Sequence, residues 1–149
     1  MTRVNAGIKP EHLVDQHLLA EHREIKRLCY NYTEWLRSQS ERPSKFTMDT
    51  GHILFFVDKG EYTYKRYKLL HTECERRGFD VSDFSDNWDV YKTRAGYSLY
   101  YNDWIETQDA IELVQGRLVD RLSEMHSRYC GYKITFDQAI NLLYHGKLN

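Results

Sequence analysis

The chain has 149 residues, 41% hydrophobic and 29% charged, the size and composition of a single globular domain with its own core. No run of about 18 apolar residues exists to span a bilayer, and the first residues lack the basic, apolar and small-residue order of a signal peptide. A soluble cytoplasmic monomer without membrane contact is therefore expected.

Cys29, Cys74 and Cys130 are an odd, widely separated set without CxxC or CxxH spacing, which argues against a disulfide framework and a structural zinc site and leaves buried thiols. The net charge of −1 conceals segregation. Residues 1–79 carry 14 Lys/Arg against 11 Asp/Glu, residues 80–112 carry 2 against 8, and residues 113–149 carry 5 against 3. A polyanion can bind the flanking parts while the acidic middle faces elsewhere.

The apolar periodicity predicts an all-α fold. A first helix is expected from about Pro10 to about Arg37, with Pro10 tolerable only in its first turn. At about 100° per residue its faces separate. Val14, Leu18, Ile25 and Leu28 form the buried face, with Asp15 and Lys26 on an exposed side. Gln16, Ala20, Arg23 and Arg27 form a second stripe, where two arginines and an amide flank a small alanine. Guanidinium matches phosphate in a bidentate manner, so this stripe suits an anion. Glu24 falls between the stripes, next to His17, placed either as an acid/base group or as a structural partner of an arginine. His17, Glu21 and Glu24 also share one helix edge at i, i+4, i+7 and could ligate a metal in a bundle, but no second Glu-x-x-His helix accompanies them. No metal or cofactor is expected.

The second helix begins after Thr50 and runs to "RRG" at 76–78, where cations and a glycine make a strong stop signal. Ile53, Phe56, Gly60, Tyr64, Tyr67, His71 and Cys74 give it a wide aromatic core stripe. Residues 79–106 have no helical period and hold Phe79, Phe84, Trp88, Tyr91, Tyr97, Tyr100, Tyr101 and Trp104. They are expected to fold as an ordered loop over the helices, with base stacking as the alternative use of the rings. A third helix starts near Thr107, with Ile111, Val114, Leu118, Leu122 and Met125 at core spacing. A short fourth helix, about 135–145, follows "TFDQ", where Thr135 and Gln138 have capping-box spacing, and stops at Gly146.

"MTRVN" at the start, "DQHLLAEHREIKR" at 15–27, "GHILFFVDK" at 51–59 and "ECERRGFDV" at 73–81 together resemble the T-even-phage type pyrimidine-dimer DNA glycosylases, the endonuclease V family. "VQGRLVDRL" at 114–122 is a weaker echo. The resemblance implies a compact, all-helical repair enzyme, host-cytoplasmic if phage-encoded, whose partner is damaged double-stranded DNA. It would remove a pyrimidine from a UV-induced cyclobutane dimer and then nick the strand as an abasic-site lyase. It implies the α-amine of Thr2 as nucleophile once Met1 is removed, and Glu24 as the proton-transfer group. It places Arg3, Gln16, His17, Arg23 and Arg27 along the DNA site, with Arg117 and Arg121 gripping the backbone. Family members bend the duplex and extrude a base opposite the lesion. The chain departs from the family's aromatic "WYKYYG"-like run, which helps its members favour the dimer, having "HSRYCG" at 126–131. A non-catalytic DNA-binding protein on the same scaffold is the main alternative.

Overall fold

The computed structural model describes residues 2–149; Met1, whose removal the expected nucleophile requires, lies outside them. Six α-helices carry the fold: α1 (Asp15–Glu24), α2 (Arg27–Ser38), α3 (His52–Phe56), α4 (Gly60–Arg76), α5 (Gln108–Leu122) and α6 (Phe136–His145). Two short antiparallel hairpins interrupt the all-α expectation. In the first, β1 (Lys92–Thr93) pairs with β2 (Gly96–Tyr97); in the second, β3 (Arg128–Tyr129) pairs with β4 (Tyr132–Lys133). Among the described residues no helix is long and apolar enough to cross a membrane.

The first predicted helix begins later than expected. Pro10–His12 form a 3₁₀ turn, Leu13 and Val14 are extended, and α1 starts at Asp15. Between α1 and α2, Ile25 and Lys26 keep helical dihedrals. The amides of Leu28 and Cys29 bond three residues back, to Ile25 O at 3.1 Å and Lys26 O at 3.0 Å. The run is thus one helical path tightened by a 3₁₀ step rather than two unrelated helices. Val14, Leu18, Ile25 and Leu28 are all buried, as their spacing predicted. They join one hydrophobic cluster with Phe56, Leu70, Leu118 and Leu142, in which Cys29 and Cys74 are also buried. Asp15 corrects the expected exposed side: it is 4% exposed.

The second predicted helix is broken at 57–59. Lys59 leaves helical geometry, with φ −124° and ψ 48°, and pairs with Tyr101 in an isolated bridge. The loop supplies acceptors there: the amides of Gly60 and Tyr62 donate to Tyr100 O and Asn102 O, each at 3.1 Å. Those amides belong to the first turn of α4, whose donors have no partner inside the helix. The downstream stop holds: Gly78 sits at φ +84°, and the Phe79 amide reaches back to Cys74 O at 2.9 Å.

The loop 79–106 packs on the helices. Trp88 and Tyr91 are buried. Trp88 Nε1 donates to Thr63 Oγ1 at 3.0 Å, and the Tyr91 hydroxyl donates to Val57 O at 2.9 Å. Tyr91 also stacks on Tyr32 with centroids 4.0 Å apart. Gly60 is required by this contact, because a Cβ there would lie 2.7–2.8 Å from three Tyr91 ring atoms. Stacking and the hydroxyl bond stop the ring from swinging away. Gly60→Ala should therefore cost about 1–3 kcal/mol by overpacking, read as a fall in Tm; an unchanged Tm would show that the ring yields freely.

At the C-terminal end, Val114, Leu118 and Leu122 are buried as predicted, while Met125 lies beyond the end of α5 and is partly buried. The capping box of α6 forms on both sides: Gln138 N donates to Thr135 Oγ1 at 3.1 Å, and Thr135 N donates to Gln138 Oε1 at 2.9 Å.

Candidate active site

Residues 2–8 thread through the interior: Thr2, Val4, Asn5, Ala6 and Ile8 are each less than 5% exposed. Outside helix and sheet, buried backbone groups must find side-chain partners. The Val4 amide donates to His52 Nε2 at 2.9 Å. The Asn5 amide and side-chain Nδ2 donate to Glu21 Oε2 and Oε1 at 3.2 and 2.8 Å. Arg66 completes the clamp. Its Nε and Nη2 donate to the same two oxygens at 2.8 and 2.9 Å, and its Nη1 donates to Ile8 O. Burial works to lower the Arg66 pKa, but the Glu21 charge and its hydrogen bonds outweigh it and leave the guanidinium more firmly protonated.

This clamp decides the role of Glu21. Its position among Leu18, Ile25 and Leu28 puts a charge on the apolar stripe, which is the sequence signal for a buried ion pair. Both carboxylate oxygens are engaged by four donors, so the metal reading through His17, Glu21 and Glu24 loses its central ligand. Among the described residues no group of three or more His, Cys, Asp or Glu is placed to hold a metal ion.

Beside the clamp lies a cavity of about 140 Å³. Arg3, Asn5, His17, Ala20, Glu21, Glu24, Arg117, Leu118 and Arg121 line it. Five residues singled out from the sequence thus converge: Arg3 beside Thr2 on the N-terminal segment, His17 and Glu24 from α1, and Arg117 and Arg121 from α5. Arg3 Nη1 donates to Thr2 O at 3.2 Å. Ala20 leaves the small opening that its place in the stripe suggested. A larger cavity, about 500 Å³, lies on another side of Arg3 and is lined by 49–54; Glu24 does not line it.

The cavity is electropositive. The Arg117 pKa is lowered by burial, then by the neighbouring charges of Arg3 and Arg121. Three guanidinium groups held this close, with Glu24 among them, favour a polyanion that can relieve their repulsion. His17 is pushed down to about 4 by burial and by Arg117 and Arg121, against an opposing pull from Glu21. It is neutral at pH 7.

His52 is likewise lowered to about 4, chiefly by burial. Both folded values lie below the ordinary 6.5, so these groups favour the folded state above pH 6.5 and withdraw that stability as pH falls from 6.5 through 4. For His52, 1% exposed, the shift from 6.5 to about 4 corresponds to about 3 kcal/mol. Thermal unfolding from pH 7 to 4 should show Tm falling across that window; ring protons titrating near 6.5 by NMR would refute the shift.

The other predicted residues sit outside the cavity. Gln16 spends both ends of its amide on the C-terminal hairpin, donating to His126 O at 2.7 Å and accepting from Arg128 N at 3.0 Å. Arg23, near the end of α1, and Arg27, the first residue of α2, are exposed. Arg27 reaches Glu24 at 3.4 Å, an exposed contact of the kind worth little by itself. Asp15 accepts from Arg77 at 3.0 Å and from the amides of Cys130 and Gly131 at 2.9 and 2.7 Å, fixing the hairpin turn. Tyr129 of that hairpin packs on Arg77, 4.4 Å from its ring centroid. Asn5, His52 and Arg66 were not recognised from the sequence, because their partners lie far away along the chain.

A family model described as pyrimidine dimer DNA glycosylase matches residues 1–87 of the chain. The matched stretch contains the N-terminal segment, all of α1 and the Glu21–Arg66 clamp.

Proposed function

The chain belongs to the pyrimidine dimer DNA glycosylase family, and we propose that it excises a pyrimidine from cyclobutane dimers in duplex DNA and cleaves the strand as an abasic-site lyase. The observation that carries this reading is the convergence of Arg3, His17, Glu24, Arg117 and Arg121 on one cavity beside the chain's first residues.

The nucleophile is the α-amine of Thr2 after loss of Met1. An α-amine with a pKa of about 8 is free base in roughly a tenth of molecules at pH 7, far more than a lysine near 10.4. Its lone pair attacks C1′ of the damaged nucleotide, and the glycosidic bond breaks with its electron pair leaving on the base. The attacking amine sheds a proton, the sugar ring opens, and a protonated imine joins the Thr2 nitrogen to C1′. Loss of a C2′ proton then expels the 3′ phosphate by β-elimination. Glu24 stabilises the positive charge developing on the sugar and carries protons during ring opening and elimination. Arg3, Arg117 and Arg121 hold phosphates, with Arg23 and Arg27 extending the cationic surface along the helix. His17, being neutral, lines the site without adding charge.

Processed protein incubated with dimer-containing or abasic duplex and sodium borohydride should give a covalent adduct, because hydride reduces the imine to a stable secondary amine. No adduct from protein shown by mass spectrometry to lack Met1 would refute the lyase chemistry. Salt-dependent binding without an adduct would instead support the non-catalytic DNA-binding alternative.

A further inference from the structure

Of the histidines, His52 is held by both ring nitrogens yet belongs to none of the machinery described above. Its Nδ1 lies 2.8 Å from Thr47 O, and its Nε2 lies 2.9 Å from the Val4 amide. A carbonyl can only accept, so Nδ1 carries the proton. Nε2 must then be the acceptor for Val4 N–H, which fixes one neutral tautomer. Neither nitrogen is available to exchange a proton with substrate. The ring is enclosed edge-on by Phe46 and Phe56, with centroids 5.5 and 5.3 Å away. The segment is thereby gripped at consecutive residues, Val4 by His52 and Asn5 by Glu21.

We propose that His52 is a positioning residue: by bonding the Val4 amide it fixes the direction in which the chain's first amine points. The inference rests on the proposed function, which makes that amine the nucleophile. Thr2 is two residues from Val4, and Arg3 between them lines the cavity with Glu24. A loosened Val4 lets the amine wander, and misplacement of a reacting group by about 1 Å can cost on the order of 10²-fold in rate. The charged groups that face His52 are Arg3 from the N-terminal segment, Arg117 from α5 and Glu21 from α1. The two arginines favour the neutral ring that the bond requires, and Glu21 opposes them. His52 is not among the residues lining the cavity that gathers Arg117, Arg121 and Glu24, so its effect is expected on the chemical step and not on DNA affinity.

The test is single-turnover borohydride trapping on abasic duplex with processed protein. His52→Leu, which leaves both Thr47 O and Val4 N–H unpaired, should slow trapping about 10–100-fold while Kd for the duplex changes by less than about twofold. His52→Gln can span both partners with one amide and should recover to within about threefold of wild type. His52→Asn, one methylene shorter, cannot span both and should remain about tenfold slower than glutamine. A merely structural histidine would lower Tm in these variants without separating trapping rate from affinity. Equal trapping by wild type and the leucine variant overturns the positioning role. If the leucine variant does not fold, equal rates for glutamine and asparagine overturn it instead. No adduct even from wild type refutes the proposed function itself, a result distinct from either.

Discussion

Glu24→Gln should lower excision of a cyclobutane dimer by about 10²–10⁴-fold, the range for loss of a positioned proton-transfer group. The substitution keeps shape and volume but removes the charge and the titratable proton. Its structural cost is small, because the ion pair it breaks with Arg27 is an exposed one, with Arg27 57% exposed. DNA affinity should hold or rise, since a carboxylate is withdrawn from a cavity that already gathers Arg3, Arg117 and Arg121. Nicking of a single defined dimer, measured beside binding to the same duplex, separates the two effects. Activity within about threefold of wild type would remove Glu24 from the chemistry.

Arg66→Leu should be the most destabilising single change in the N-terminal half, by about 3–5 kcal/mol. It strands the Glu21 carboxylate, whose side chain is 1% exposed, with only the two Asn5 donors, and it leaves Ile8 O without its guanidinium partner. For a chain of this size, about 2–4 °C per kcal/mol translates into a Tm lower by roughly 10 °C. Replacing both members, as in Glu21→Leu with Arg66→Leu, should recover part of the loss because no buried charge remains unpaired. The double variant should still be impaired in trapping, since Asn5 has lost its anchor. A Tm within about 2 °C of wild type for Arg66→Leu would mean that water or a rearranged side chain reaches Glu21.

These expectations depend on features that differ in how far the chain announces them. The burial of Val14, Leu18, Ile25 and Leu28, the stop at Gly78 and the Thr135–Gln138 capping box are local relations. Each is set by residues within a few positions of one another, where helix geometry alone decides the neighbours. The convergence of Arg117 and Arg121 with Glu24 on one cavity is a product of tertiary packing, since no spacing rule joins α5 to α1. Helix boundaries were less accessible. The break at 57–59 exists because Tyr100 O and Asn102 O, some forty residues onward, accept the first amides of α4. Asp15 looked exposed by helical phase, yet Arg77 and the amides of the C-terminal hairpin bury it. Gln16 was placed on the anion stripe, and the same hairpin claims both ends of its amide.

By itself the sequence determined the periodic part of this protein: helical segments, their apolar faces, their caps, and the placement of Glu24 at the border of an arginine stripe. Those properties depend on 3.6-residue spacing and on intrinsic backbone preferences, which act over one or two turns. Only the tertiary structure decided which polar groups are buried together. Glu21 meets Arg66 across 45 positions, Asp15 meets Arg77 across 62, and Val4 meets His52 across 48. The physical reason is that a buried charge or amide requires a partner but does not specify where along the chain that partner lies. Packing supplies it, and in this protein the supplied partners are the ones that hold the first residues against the site.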